Sequence, residues 1–91
     1  MDDALVLQTK RYMLRKLINM GKIGGAHTAL QNLERGMPLH LRSSRKGLKA
    51  IRQAVKELLN EGMLLAKPST GETHVSINPR KVKEAEELLG I

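Results

Sequence analysis

Apolar residues recur every three or four positions in four segments of the chain, and this spacing places them on one face of a helix. The four predicted helices cover residues 3–20, 27–35, 45–61 and 79–89. The third has the clearest periodicity, with an apolar face made of Leu48, Ile51, Val55, Leu58 and Leu59. Between the third and fourth helices, apolar and polar residues alternate instead, which predicts extended structure.

Residues that begin or end helices flank these segments. Glycine tolerates the left-handed conformation after a last helical turn, proline cannot continue a helix, and a serine or asparagine side chain accepts the free N–H groups of a first turn. The predicted ends are Gly21, Gly36 with Pro38, and Gly62, and the predicted caps are Ser43 or Ser44 and Asn78. Residues 22–26 and 38–44 are left as a turn and a connector.

Two short strands are predicted at residues 63–67 and 73–77. In the second, Val75 and Ile77 alternate with His74 and Ser76, as in a strand with one buried face. The intervening residues 68–72 read Pro-Ser-Thr-Gly-Glu and are turn formers, so the two strands form a β-hairpin.

The order helix, helix, helix, hairpin, helix resembles the winged helix-turn-helix superfamily. The likeness covers about residues 9–78 and is carried by residues 50–77, where IRQAVKELLNEGMLL leads from a long helix into a strand, a polar tip and a return strand. The stretches IGGAHTALQNLERGMPLHLR and HVSINPRK resemble small archaeal proteins of this type that have no assigned function. One departure is the connector 38–44, which is longer than the turn of a simple helix-turn-helix and leaves the angle between the second and third helices open.

This resemblance implies a mainly α fold with a small β-hairpin, organised as one winged-helix domain over residues 1–91. Its parts are the first helix (1–21), the helix-turn-helix region (22–62), the wing hairpin (63–77) and the C-terminal helix (78–91).

The composition of the chain gives it a strong positive charge. The chain has 16 Lys and Arg against 9 Asp and Glu, a net charge of +7, and a basic domain of this size suits a polyanionic partner. Without cysteine it forms neither disulfides nor a cysteine-based zinc site. The chain lacks an apolar run of the roughly 20 residues that cross a bilayer, and it lacks a signal peptide. We therefore expect a cytoplasmic protein without membrane contact.

Six basic residues and no acidic residue lie between positions 42 and 56. Arg45, Lys49, Arg52 and Lys56 are spaced to form one narrow stripe on the third helix, about a third of a turn from its apolar face. Like charges at this spacing repel one another, and duplex DNA offsets that repulsion through ion pairs and counterion release. The stripe therefore predicts that this helix enters the major groove of double-stranded DNA.

The predicted contacts lie on the third helix, at its start and on the hairpin. They are Arg42, Ser43, Ser44, Arg45, Lys46, Lys49, Arg52, Gln53, Lys56, Lys67, Ser69, Thr70 and His74. Ser43 and Ser44 suit a phosphate because N–H groups at a helix start point at it, and Arg52 and Gln53 are candidate base readers. The hairpin residues are equally compatible with an ordinary turn. The basic side chains of the first helix fit either a phosphate contact or a solvated face; these are Lys10, Arg11, Arg15 and Lys16.

The leading interpretation is a DNA-binding transcription regulator or chromatin-associated factor. One alternative is a module that binds structured RNA or the ribosome; a lack of aromatic stacking platforms argues against single strands. Another is a winged helix that binds an acidic protein within a larger complex. The apolar stripe of the last helix also predicts a homodimer as an alternative to packing within one chain; its members are Val82, Ala85, Leu88, Leu89 and Ile91.

Nothing in the sequence predicts an enzyme, a cofactor or a catalytic residue. The histidines are His27, His40 and His74, and they lie on three different elements without the spacing of metal ligands. We therefore expect no metal site.

Overall fold

The computed structural model describes residues 2–91, which fold into a mostly helical structure with a small antiparallel sheet. The helices are α1 (Asp3–Asn19), α2 (Leu30–Arg35), α3 (Leu39–Arg42), α4 (Arg45–Asn60) and α5 (Val82–Leu89), and a 3₁₀ turn at Pro79–Lys81 precedes α5. The strands are β1 (Thr28–Ala29), β2 (Leu64–Ser69) and β3 (Glu72–Ile77), and β3 lies between the other two. The long helices and the hairpin predicted from the sequence are confirmed.

Two elements differ from the sequence prediction. The second helix begins at Leu30 rather than at residue 27, because Thr28 and Ala29 pair with Val75 and His74 of β3 as a third strand. The connector 38–44 contains the one-turn helix α3. The first difference arises from the pairing of β1 with β3, which are distant in the chain and which local propensity does not bring together. The turn of α3 is formed by local hydrogen bonds, such as that from the Ser43 N–H to the Leu39 carbonyl at 2.9 Å.

The start of α4 follows the sequence prediction. The Ser44 hydroxyl accepts a hydrogen bond from the Gly47 N–H at 3.0 Å, so Ser44 is the N-cap of this helix. Gly62 follows the helix with a φ of +74°, a conformation that glycine adopts without strain. The predicted limits of this helix are therefore confirmed at both ends.

The core lies where α1, α4 and the inner face of the sheet meet. Its most deeply buried members are fully enclosed side chains; these include Met13, Leu14, Leu17, Leu33, Leu41, Leu58, Val75 and Ile77. Lys10 of α1 is also buried, and its ammonium group lies 2.7 Å from Glu57 and 3.2 Å from Glu61 of α4. The possibility that Lys10 contacts phosphate or lies on a solvated face is therefore wrong, because this side chain ties α1 to α4.

The buried face of α4 differs from the predicted one. Leu48 is 42% exposed and Leu59 is only half-buried. Ile51, Val55 and Leu58 are buried as predicted, and Gly47, Ala50 and Ala54 join them on this face. Small residues line this face, because α3 and α1 approach the backbone of α4 closely. At Gly47 an added Cβ would overlap the Leu41 carbonyl group.

The hairpin turn is shorter than the sequence suggests. Ser69 pairs with Glu72, which leaves Thr70 and Gly71 as a two-residue turn with φ values of +52° and +80°. Two successive positive φ values are typical of a type I′ turn, whose twist matches that of the flanking strands. Pro68 lies in β2, an edge strand, where a residue without an N–H is tolerated.

The C-terminal helix packs within the chain. Ala85 is buried, and Val82, Leu88 and Leu89 lie against the core. The Arg11 guanidinium donates a hydrogen bond to the Leu88 carbonyl at 3.1 Å. Four of the five stripe members thus pack within the chain, whereas Ile91 is 74% exposed, and the homodimer stays a prediction.

Candidate nucleic-acid interface

The four residues of the basic stripe, Arg45, Lys49, Arg52 and Lys56, are all exposed. They lie on the side of α4 opposite its buried residues, rather than a third of a turn away, because the core contact is centred on Ala54 and Gly47 and not on Leu48. The stripe runs for about three turns of helix. Because the stripe faces away from the core, it is better suited to contact an extended ligand than the sequence alone indicated.

The stripe residues differ from the neighbouring Lys46 in their ion pairing. Among residues 2–91, no carboxylate forms a salt bridge with a stripe residue. Lys46, one position off the stripe, pairs with Asp2 at 3.1 Å, and the pKa of Asp2 is lowered by a hydrogen bond from the Leu5 N–H and then by Lys46. Lys46 is still widely exposed, so this surface pair contributes little and leaves Lys46 accessible.

The residues around the start of α4 are partly engaged in the fold. Ser44 caps the helix, whereas Ser43 is exposed. The Arg42 Nε donates to the Met37 carbonyl at 2.7 Å, which fixes the base of the guanidinium beside α4. Arg42 and Arg52 then line one groove with Arg35 and Glu34 of α2, and Leu48 is also among its lining residues. The sequence analysis missed Arg35; its place in the last turn of a helix next to the basic stretch was the available signal.

Gln53 is the predicted base reader that fits least well. Its amide donates to the Glu57 carboxylate at 2.7 Å, and Glu57 also pairs with Lys10. These two donors, Lys10 first and Gln53 second, lower the pKa of Glu57. Gln53 therefore belongs to the contact between α1 and α4, and Arg52 is the better placed of the two residues.

The hairpin residues divide into two groups. Lys67 and Thr70 are exposed, and Ser69 is half-buried beside the turn. His74 is also half-buried, and it lies within the sheet rather than at the tip of the hairpin. Only the first group is placed as the sequence analysis expects of a wing.

His74 contacts His27, which the sequence analysis placed on a separate element without a partner. The two Nδ1 atoms are 2.7 Å apart, and the rings are nearly perpendicular at 73°. Burial first, and then the neighbouring side chains of Lys67, His74 and Lys22, lower the pKa of His27. His40 lies elsewhere, against Tyr12 at a ring-centroid distance of 6.2 Å.

Residues 2–91 contain no cluster of three or more histidine, cysteine or carboxylate side chains able to hold a metal ion. No helix in the same part of the chain is both long and apolar enough to cross a bilayer.

Comparison of the chain with protein-family models, with curated proteins and with solved structures returns no match.

Proposed function

We propose that this protein is a winged-helix protein that binds double-stranded DNA, with α4 in the major groove and the β2–β3 hairpin on the backbone. The observation that carries the proposal is the stripe of four exposed cations on α4, which has no carboxylate partner among residues 2–91. The hairpin that follows α4 directly, and the third strand that completes the sheet, agree with this assignment.

The dimensions of α4 fit a groove. A helix of 16 residues is about 24 Å long, and the major groove is wide enough for one helix. Because the buried face of α4 is opposite the stripe, the helix can insert without losing its contact with the core. Arg45 and Lys49, in the first half of the helix, are then placed for the groove, and Lys56 for the backbone at its edge.

Salt dependence of binding tests the proposal directly. We expect fluorescence anisotropy of a labelled random-sequence duplex to show log K falling linearly with log salt, with a slope that corresponds to roughly 4–8 phosphate contacts. Lys49→Ala and Lys56→Ala should each reduce that slope by about 1. Lys83→Ala is the matched control, since Lys83 is an exposed lysine on α5, and it should leave the slope unchanged.

Two results would contradict the proposal. If wild-type protein does not bind the duplex at low salt, DNA binding is excluded. If the stripe variants keep the wild-type slope, α4 is not the contact surface. A matched RNA duplex serves as competitor, and we expect it to compete poorly because the deep, narrow major groove of A-form RNA does not admit a helix. Strong competition would transfer the assignment to structured RNA.

On this proposal the protein acts as a transcription regulator or a chromatin-associated factor. A preferred sequence distinguishes the two, because a regulator requires base readout and a chromatin protein does not. Selection of bound duplexes from a random pool measures that preference, and Arg52→Ala should relax it at one position if Arg52 reads a base.

A further inference from the structure

A row of basic side chains crosses the outer face of the sheet, apart from the α4 stripe. His74 of β3 lies directly opposite Lys67 of β2, so the two side chains emerge on the same face. His27 precedes β1 and contacts His74 through the Nδ1 atoms. Lys22 is held beside β3 by its carbonyl, which accepts a hydrogen bond from the Ile77 N–H at 2.9 Å.

The charges around the histidine pair favour an anion over a cation. Two converging imidazole nitrogens are metal ligands in many proteins, but two lysines face this pair and no third ligand completes a cluster within residues 2–91. The lysines repel a cation and attract an anion. The acidic group that faces the pair is Glu72, with a carboxylate oxygen 3.7 Å from His74 Nε2.

We propose that Lys22, His27, Lys67 and His74 form a phosphate-binding site on the outer face of the sheet, and that occupation of this site is coupled to protonation of the histidine pair. The ligand is a phosphate group, either of a nucleic-acid backbone or of a small phosphorylated molecule.

Proton coupling follows from the geometry. At 2.7 Å the two Nδ1 atoms share one proton in the neutral pair, as Nδ1–H donating to Nδ1. The accepting ring then carries its own proton on Nε2, so an added proton must go to Nε2 of the donor ring, which becomes a cation near Lys67 and Lys22. A bound phosphate dianion compensates that charge, so phosphate and proton bind cooperatively.

The test is an NMR titration of the histidine ring signals between pH 5 and 8. Inorganic phosphate is the first probe, with chloride at equal ionic strength as its reference. We expect phosphate to raise the protonation midpoint of the coupled histidine pair by about 1 pH unit, within the range that a nearby opposite charge produces. His40, which is outside the row, is the internal control and should not respond.

Charge variants test the residues of the site. Lys67→Gln is on an exposed position of an edge strand and should remove most of the phosphate response. Lys83→Gln on α5 should keep it. Glu72→Gln should enlarge the response, because it removes the carboxylate that competes with phosphate for His74.

A second arm uses a DNA duplex in place of phosphate to identify the source of the ligand. A response to both probes, or to the duplex alone, assigns the site to a nucleic-acid backbone. A response to inorganic phosphate alone assigns it to a small phosphorylated ligand. If neither probe moves the midpoints, if His40 responds equally, or if Lys67→Gln keeps the full response, the site does not exist. The phosphate arm is independent of α4 because it needs no DNA binding, whereas the duplex arm rests on the proposed function.

Discussion

Replacement of Gly47 by alanine should destabilise the protein, although helix propensity alone predicts the opposite. Alanine is about 1 kcal/mol better than glycine in a helix interior. However, the added Cβ would overlap the Leu41 carbonyl oxygen and lie 2.6 Å from its carbonyl carbon. These are backbone atoms of α3, so no side-chain rotation relieves the overlap and the two helices must separate. Overpacking costs about 1–3 kcal/mol, and a backbone contact belongs at the upper end of that range.

The net expectation for Gly47→Ala is a loss of about 2 kcal/mol in the free energy of unfolding, from an upper-end cost of about 3 and a helix gain of about 1. Urea denaturation measures this loss as a lower midpoint, with the dependence of the free energy of unfolding on urea concentration unchanged. The corresponding decrease in Tm is about 10 °C for a domain of this size. Gly25→Ala is the matched control, because its added Cβ meets no atom within 4 Å and its φ is not positive. It should change stability by less than about 0.5 kcal/mol. If Gly47→Ala is as stable as the wild type, the close approach of α3 to α4 is not as described.

Three further predictions concern other contacts that stabilise the fold. Lys10→Met removes the ion pairs between α1 and α4 and should cost about 1 kcal/mol at pH 7, a modest value because the glutamates remain partly solvated. Since Lys10 lowers the pKa of Glu57 from its ordinary 4.5, the stability from this pair is fully present above pH 4.5 and is lost as the pH falls through the lowered value. Between pH 7 and pH 3.5, Lys10→Met should therefore lose less free energy of unfolding than the wild type. An equal loss in both proteins would exclude the coupling. Thr70→Gly should stabilise the hairpin by about 1 kcal/mol, because φ is +52° at this position, and thermal unfolding that shows a lower Tm would contradict the turn assignment. Asn78→Ala should cost about 1–2 kcal/mol in denaturant unfolding, since Asn78 both caps the 3₁₀ turn and donates to the Gly62 carbonyl at 2.9 Å, whereas a neutral result would show that water replaces both bonds.

Local features of the sequence determined the elements of this protein. Helix periodicity, the Ser44 cap and the glycine after α4 are interactions between residues a few positions apart, so they are present in any fold that contains the segment. The same reasoning located the basic stripe, because four cations at helical spacing share one face whatever the helix packs against. The charge and the candidate surface were therefore predictable from the sequence.

Contacts between distant residues decided the rest. His27 and His74 are 47 positions apart, and only the pairing of β1 with β3 brings their rings together. Leu48 was predicted to lie on the buried face of α4, yet the approach of α3 buries Gly47 and leaves Leu48 exposed. Lys10 was predicted either to contact phosphate or to lie on a solvated face, but α4 places two carboxylates beside it. Burial and partner choice depend on which surfaces meet, and that depends on the packing of the whole chain rather than on the propensity of any segment.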